Sequence, residues 1–432
     1  MTESNQTQPA RDVRMRGFLN RSSVEEAIAW LDKSVVGLSA ETVSVVDAHR
    51  RVLNESVASA MNVPAFDRSA MDGYAVHAEE TTGASDFNPL QFKVIGTSMP
   101  NAPFDGMVEP GCAVRIMTGA PMPAGADCVV PAEFTRADSD GESVGVVTAI
   151  AAEKNVGRTG EDVRQGDAIL AAGRQLRPQD VGMLASVGID RVSVVRAPRV
   201  RILVTGNELV EVGNSRAASQ IFDSNTPMLG GLVERDGGHL ESVTRCRDDR
   251  DSIRIAMTAG DVDVVLVSGG SSVGAEDHAP GILAEAGELG IHGIAMRPSS
   301  PAGMGRIVDG SRSRLVFLVP GNPVSCLCAY DFFAGRTIRQ LGGLPIEWPY
   351  PRQQLPLTRK ISSAVGRVDY CRVLIQDGHV EPLALSGASR LSSTVRGDGF
   401  VVIPASLEGY APETVVDVYR YDLQPSASGK PQ

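Results

Sequence analysis

Between residues 197 and 345, short β-branched runs alternate with stretches of helical periodicity. Residues 199–205, 262–267 and 315–319 are compact apolar runs bounded by Gly or Pro, the pattern of buried strands. Residues 225–237, 250–260, 279–290 and 324–341 carry helical pattern around them. Strands that alternate with helices predict a doubly wound α/β domain, whose ligands sit at the carboxyl ends of its strands. Three loops fall at those ends: Gly206-Asn207-Glu208, residues 268–277 and residues 320–325.

The flanks read differently. Ser22 or Ser23 caps a first helix over residues 24–34, with Glu25 and Glu26 complementing its dipole. Residues 41–59 mix strand and helix patterns, and residues 64–76 are too irregular for a helix. Residues 92–176 are broken by Gly and Pro between short Val/Ile runs, which predicts strands. Residues 178–187 read as a helix, with Asp180 near its start. After a Gly/Pro-rich break at 342–349, short β runs and turns continue to residue 421. The expected fold is multidomain, α/β plus β. A disordered lead covers 1–20 and a β-rich N-terminal region with helices covers 21–196, as two subdomains with one inserted in the other. The α/β domain covers 197–345, a small β-barrel-like domain 346–423, and a tail 424–432.

Composition narrows the function. A chain of 432 residues holds two to four domains. With 42% hydrophobic and 22% charged residues it is ordinary for a soluble globular protein, and 5% aromatics leave the cores to Val, Leu, Ile and Ala. The net charge of −11 argues against nucleic-acid partners and anionic membranes, although a local site can oppose the global charge. No apolar run of about 18 residues suggests a membrane span. Residues 1–17 lack the apolar segment of a secretory signal, so a cytoplasmic protein is expected. None of the six cysteines forms a Cys-x-x-Cys pair, which predicts buried reduced thiols. Cys326 and Cys328, two apart, would face different sides of a helix, which disfavours a metal pair.

The strand-end loops hold the chemistry. Ser268, Gly269, Gly270, Ser271, Ser272 and Gly274 form a small-residue loop whose backbone N–H groups can approach a phosphate. It does not match the Walker pattern, and Gly-x-Gly-x-x-Gly is absent after the first strand of the α/β domain. Asp277 ends the loop, although a phosphate cradle alone needs no carboxylate. Glu208, Asp223 and Asp277 lie at strand-end loops of one domain, and Asp72 lies in the N-terminal region. Such oxygen ligands suit Mg²⁺ held beside substrate phosphates. Taken singly, Asp223 reads equally as a helix cap, Asp72 as a turn residue and Glu208 as a solvated loop residue. His278, next to Asp277, reads as a structural hydrogen-bonder. Pro320-Gly321-Asn322-Pro323 is a loop stiffened before binding, or an ordinary strand-to-helix turn. Arg297-Pro298-Ser299-Ser300-Pro301 offers Arg297, Ser299 and Ser300 to an oxyanion, or is a solvent loop.

Taken in order, these motifs resemble the molybdopterin molybdenumtransferases, bacterial enzymes related to the E domain of gephyrin. The resemblance runs from about Ser22 to Tyr421. It rests on PAFDRSAMDGYAV at 64–76, IMTGAPMPAGADCVV at 116–130, NVGRTGEDVRQGD at 155–167 and ILVTGNEL at 202–209. It continues through residues 221–225, residues 268–277, VPGNPVS at 319–325 and SGASRLSSTVRGDGFVVIP at 386–404. It implies insertion of molybdenum from molybdate into adenylylated molybdopterin, with release of AMP and support from Mg²⁺. It also implies a homodimer whose cleft is lined by the α/β domain of one subunit and the N-terminal part of the other. Asp72, Thr118, Asp162, Glu208, Asp223 and Asp277 match its functional positions, with Glu208, Asp223 and Asp277 as metal ligands. Pro320 and Pro323 match its proline loop. A molybdopterin adenylyltransferase and molybdoenzymes are the partners it suggests.

One stretch departs from the family. Arg297-Pro298-Ser299-Ser300-Pro301 stands where Lys-Pro-Gly-Lys-Pro is common, so one positive charge is lost. Losing a charged hydrogen bond of roughly 1.5–3 kcal/mol weakens anion affinity by an order of magnitude or more. Gly157 likewise stands where a basic residue is frequent, with Arg158 retained. Two other readings follow: a paralogue that binds molybdopterin or a partner enzyme without turnover, and a variant inserting tungsten. The long N-terminal region and the C-terminal β domain argue against an adenylyltransferase, which shares only the α/β domain.

Overall fold

The structure is a computed structural model and describes Phe18 and residues 20–270, 277–310 and 312–421. It divides into two units, residues 42–194 and the remainder of the chain. In the larger unit, helix α1 (Val24–Ser34) is closed by a capping box in which Ser23 and Glu26 satisfy each other's backbone N–H. Its Val24, Ala27 and Leu31 pack into the α/β core. The first helix thus packs within the larger unit.

The α/β sheet contains β1 (Arg199–Thr205), β2 (His239–Cys246), β3 (Val264–Ser268), β4 (Glu288–His292), β5 (Gly303–Asp309) and β6 (Arg312–Val319), in the order β2-β1-β3-β6-β5-β4. The first four strands are parallel, β5 runs antiparallel to β6, and β4 runs antiparallel to β5. Period-two alternation explains the double winding. Val200, Ile202, Val204, Val264, Leu266, Leu315 and Phe317 face one core, while Leu203, Val265, Val267, Val316 and Leu318 face the other. The first core also takes Leu229 and Val233 of α2 (Asn225–Arg235). The second takes Ile253 and Met257 of α3 (Arg250–Thr258) and Ile282 and Leu283 of α4 (Ala279–Ala286).

Two elements differ from expectation. The helix predicted over 279–290 stops at Ala286, and β4 follows. A Cβ on Gly287 would lie 2.2 Å from the Arg306 carbonyl oxygen, so this glycine lets the chain turn tightly against β5. The long last helix is continuous from Pro323 to Leu341 but contains a π-helical turn at Tyr330–Ala334.

The C-terminal β domain is built from Arg352–Pro356, Val368–Gln376, His379–Ala384, Gly399–Ile403 and Val415–Arg420 around a core of Val373, Val401, Ile403, Val416 and Val418. The short strand Met296–Arg297 from the α/β region joins its sheet, parallel to Val368–Gln376.

The smaller unit contains two cores. One is a six-stranded sheet within residues 73–146, packed around Tyr74, Phe92, Val130 and Val144. The other is drawn from chain on both sides of that sheet and joins Val45, Leu53, Leu170, Leu184 and Val194, with Leu184 carried by the helix Pro178–Ser186.

Candidate active site

Strands β1, β3 and β6 end side by side at Thr205, Ser268 and Val319. Beyond these ends lies a cavity of about 620 Å³. It is lined by residues of all three strand-end loops, including Glu208, Asp223, Asp277, Ser268, Gly269, Gly270 and residues 320–323. Ser271, Ser272 and Gly274 lie outside the described residues.

One side chain ties the loops together. Asn225, buried at the start of α2, donates from Nδ2 to Ser268 Oγ at 2.9 Å and to the Gly321 carbonyl at 2.8 Å. Its Oδ1 and the hydroxyl of buried Thr205 are left without partners among the described residues, and both residues line the cavity. Gly269 has φ +92°, and a Cβ there would stand 2.3 Å from the Thr205 carbonyl oxygen. Only glycine fits that close approach.

The carboxylates are not equivalent. Asp223 is buried and caps α2: Oδ1 accepts from the Asn225 and Thr226 backbones at 3.1 and 3.0 Å, and Oδ2 accepts from the Thr226 hydroxyl at 2.5 Å. Arg245 at the end of β2 stands 3.5 Å from the same Oδ2 and 3.4 Å from Glu211. Asp248, missed in the sequence, also lines the cavity and accepts from the Asn207 backbone at 3.0 Å. Its only sequence signal was its place just after a strand that was itself not foreseen. Among the described residues lining the cavity there are four carboxylates and no Lys or Arg. His278 Nδ1 is buried without a partner among the described residues.

A second cavity, of about 300 Å³, shares Pro301, Pro320 and Asn322 with the first. Its other wall is the C-terminal domain's loop at 385–388. The Val324 amide donates to the Ala388 carbonyl at 2.9 Å, which holds that loop in place. Arg297, Ser299 and Ser300 line this cavity with unequal resources. Arg297 Nη2 is ion-paired with the fully buried Asp369. Ser299, buried at φ +82°, donates its hydroxyl to the Ser325 carbonyl at 2.5 Å. The Ser300 hydroxyl is buried and unpartnered among the described residues. Arg372, missed in the sequence, is fully buried behind the wall. It donates to the Ser386 carbonyl at 2.6 Å and to Ser393 Oγ at 3.2 Å, while Nη1 has no partner among the described residues.

The smaller unit holds the remaining predicted residues. Asp72 Oδ1 accepts from both the backbone N and the hydroxyl of Thr118 at 2.7 Å, and these bonds hold its carboxyl below the usual range. Asp67, five residues earlier and not singled out, repeats the arrangement. It accepts from Thr159 N at 2.8 Å and Thr159 Oγ1 at 2.7 Å and pairs with Arg158 at 2.5 Å, and its pKa is lowered, chiefly by the Thr159 backbone bond. Asp162 is exposed, and its amide donates to the Val63 carbonyl at 3.1 Å.

Comparison with known proteins agrees with this layout. Residues 22–188 match the family model of the MoeA N-terminal region (domain I and II), 201–340 that of a probable molybdopterin binding domain, and 354–421 that of the MoeA C-terminal region (domain IV). A putative molybdopterin biosynthesis protein of Methanocaldococcus jannaschii is 33% identical over 87% of this chain and 91% of its own. Molybdopterin molybdenumtransferase 2 of Mycobacterium tuberculosis is 33% identical, covering 88% of this chain and 94% of its own. The crystal structure of the molybdopterin biosynthesis MoeA protein of Pyrococcus horikoshii superposes with a TM-score of 0.75 at 29% identity, over 93% of this chain and all of that one.

Proposed function

This chain belongs to the MoeA family of molybdopterin molybdenumtransferases, transferases of molybdenum cofactor biosynthesis, and from that premise we propose the use of its two cavities. The larger binds adenylylated molybdopterin, and the smaller receives the metal oxyanion, molybdate. The products are AMP and the metal-loaded cofactor.

The observation that carries this reading is the charge of the larger cavity. A phosphoanhydride brought among Glu208, Asp223, Asp248 and Asp277, with no cationic side chain among the described lining residues, is repelled unless a cation comes with it. No three Asp, Glu, His or Cys side chains among the described residues gather into a metal cage. That donor set fits Mg²⁺, which takes one or two carboxylates and completes its shell with water and substrate phosphate. Glu208 and Asp277, which line the cavity from two of its strand-end loops, are the proposed ligands, and Asp223 caps α2 beside them. When bound, Mg²⁺ polarises the phosphoryl group and offsets its charge. The chain's own residues do the positioning: Asn225 aligns two loops, and Gly269 lets backbone approach the phosphate.

The family resemblance extends the proposal to a homodimer in which the N-terminal part of a second copy, with Asp72 and Thr118, completes the cleft. The same resemblance extends the proposal to a cytoplasmic setting; among the described residues no helix is long and apolar enough to cross a membrane.

Purified protein given adenylylated molybdopterin, Mg²⁺ and molybdate should release AMP and yield cofactor that activates an apo-molybdoenzyme. Tight substrate binding without AMP would overturn turnover in favour of a binding role, a reading that the ion-paired state of Arg297 supports. Tungstate run in parallel identifies the metal inserted.

A further inference from the structure

We propose that Asp369 sets the oxyanion affinity of the smaller cavity by holding the charge of Arg297. This rests on the oxyanion reading of that cavity given above. The pairing is built into the backbone. Met296–Arg297 runs parallel to Val368–Gln376 with Arg297 in register with Asp369, so the two side chains meet wherever the C-terminal domain is docked. Asp369 is fully buried and has donors on both oxygens: Ser363 at 2.8 Å and Arg297 on Oδ2, and Arg367 at 3.0 Å on Oδ1. Pulling Arg297 away would weaken the pairing of a buried carboxylate, which is strongly unfavourable. An arriving anion therefore does not pull the guanidinium off Asp369.

The three charges at this point, Arg297, Arg367 and Asp369, sum to one positive charge where two arginines alone would give two. What remains for the anion is one neutral hydroxyl and two guanidinium N–H groups: Arg297 Nε, whose charge is already partly offset, and, behind the wall, Arg372 Nη1. Ser300 offers a buried, unpartnered hydroxyl, and Arg297 Nε is buried without a partner among the described residues. Ser299 has given its hydroxyl to Ser325. Charge-assisted hydrogen bonds are roughly twice as strong as neutral ones, so a carboxylate behind the seat lowers affinity without touching the ligand. Asp369 is thus a positioning and affinity-setting residue. It tunes a seat for a tetrahedral dianion by lowering the positive charge that the anion meets.

The test is calorimetric titration of the full-length protein with sodium molybdate. Asp369→Asn should tighten the dissociation constant by about tenfold, the effect of one restored charged hydrogen bond. Adding Arg297→Gln to that background should remove the gain, as a double-mutant cycle requires of coupled residues. In turnover the variant should show a lower KM for molybdate with no rise in kcat, a split that general loosening of the fold does not produce. Unchanged or weaker binding by a folded Asp369→Asn protein overturns the proposal, as does a gain that survives Arg297→Gln. Should Asp369→Asn not fold, the wild type decides. Between about 50 and 500 mM NaCl its molybdate affinity should fall less than about threefold if the charge is held, whereas a larger fall overturns the proposal. Failure of the wild type to bind molybdate or tungstate at all removes the oxyanion reading itself, and the proposal with it.

Discussion

The Asn225 side-chain amide donates to the Ser268 hydroxyl across 43 residues of sequence, and its second hydrogen goes to the Gly321 carbonyl. One buried residue at the start of α2 therefore fixes the ends of β3 and β6 at the distance the larger cavity requires. Asn225→Ala removes both bonds and leaves two acceptors short of a donor. It should destabilise the protein by about 1–3 kcal/mol and reduce kcat/KM further than that loss explains. Asn225→Asp should be at least as damaging, because a carboxylate then faces two acceptors. Denaturant unfolding alongside AMP release checks both; wild-type activity in a folded Asn225→Ala protein would remove its positioning role.

Gly269 and Gly321 sit on neighbouring loops but carry different constraints. A Cβ on Gly269 would collide with the Thr205 carbonyl at 2.3 Å, on a backbone at φ +92°. At Gly321 the nearest atom to a Cβ would be 3.8 Å away. Gly269→Ala should cost about 1–3 kcal/mol through strain and disturb the proposed phosphate-binding loop, whereas Gly321→Ala should fold with near-native stability. Equal melting temperatures for the two variants would contradict the geometry.

Much of this architecture was legible because period-two alternation in β1, β3 and β6 is read directly from Val, Ile and Leu positions, and the ends of those strands then locate the cavity. Strand β2 was not legible, because an edge strand with largely exposed residues such as His239, Leu240 and Glu241 carries no apolar signature. Strand β4 was hidden because residues 279–290 keep a helical pattern past the point where Gly287 turns the chain. Long-range pairing was hidden for a different reason. Arg297 and Asp369 are 72 residues apart, and nothing local in either segment says that their strands adjoin. The Asp67 clamp was within reach, since it stands in the same motif as Asp72.

Those two clamps should respond to acid. Bonds from Thr159 and Arg158 lower Asp67, and bonds from Thr118 lower Asp72. A carboxyl whose native pKa lies below its unfolded value contributes stability that is full above the unfolded value, about 4. That contribution is lost as pH falls through the native value. Loops 66–72, 117–119 and 157–159 should therefore exchange amide hydrogens faster relative to the rest of the smaller unit as pH drops below about 4. Asp67→Asn and Asp72→Asn should remove that dependence at Thr159 and Thr118 respectively. A pH-independent difference between wild type and variants would show that charge is not the source.

The thiols should separate into two classes. Burial pushes Cys128 and Cys371 up to about 12, and raises Cys326 and Cys328 further. Cys112 and Cys246 are only partly buried. Since the thiolate is the reactive form, native protein treated with iodoacetamide at pH 8 should be labelled first at Cys112 and Cys246, with the other four protected until unfolding. Early labelling of Cys326 or Cys328 by mass spectrometry would mean that the last helix opens in the native state.

Asp223 and Asp277 line the same cavity, yet their substitution should have opposite consequences. Asp223 is a helix cap: two backbone N–H groups and the Thr226 hydroxyl converge on it, and it is almost fully buried. Asp223→Ala should destabilise the protein by about 0.5–2 kcal/mol, and asparagine, itself a good cap, should recover much of that loss. Asp277 ends the small-residue loop beside the proposed Mg²⁺ position and carries no regular element. Asp277→Asn should leave the melting temperature near that of the wild type while AMP release falls by at least about a hundredfold, as expected when a ligand of a charge-neutralising cation is lost. Raising Mg²⁺ should restore part of that activity, since weakened binding is offset by mass action. If Asp277→Asn unfolds as readily as Asp223→Ala, or keeps its turnover, Asp277 is a structural residue and the cation must be held elsewhere in the cavity.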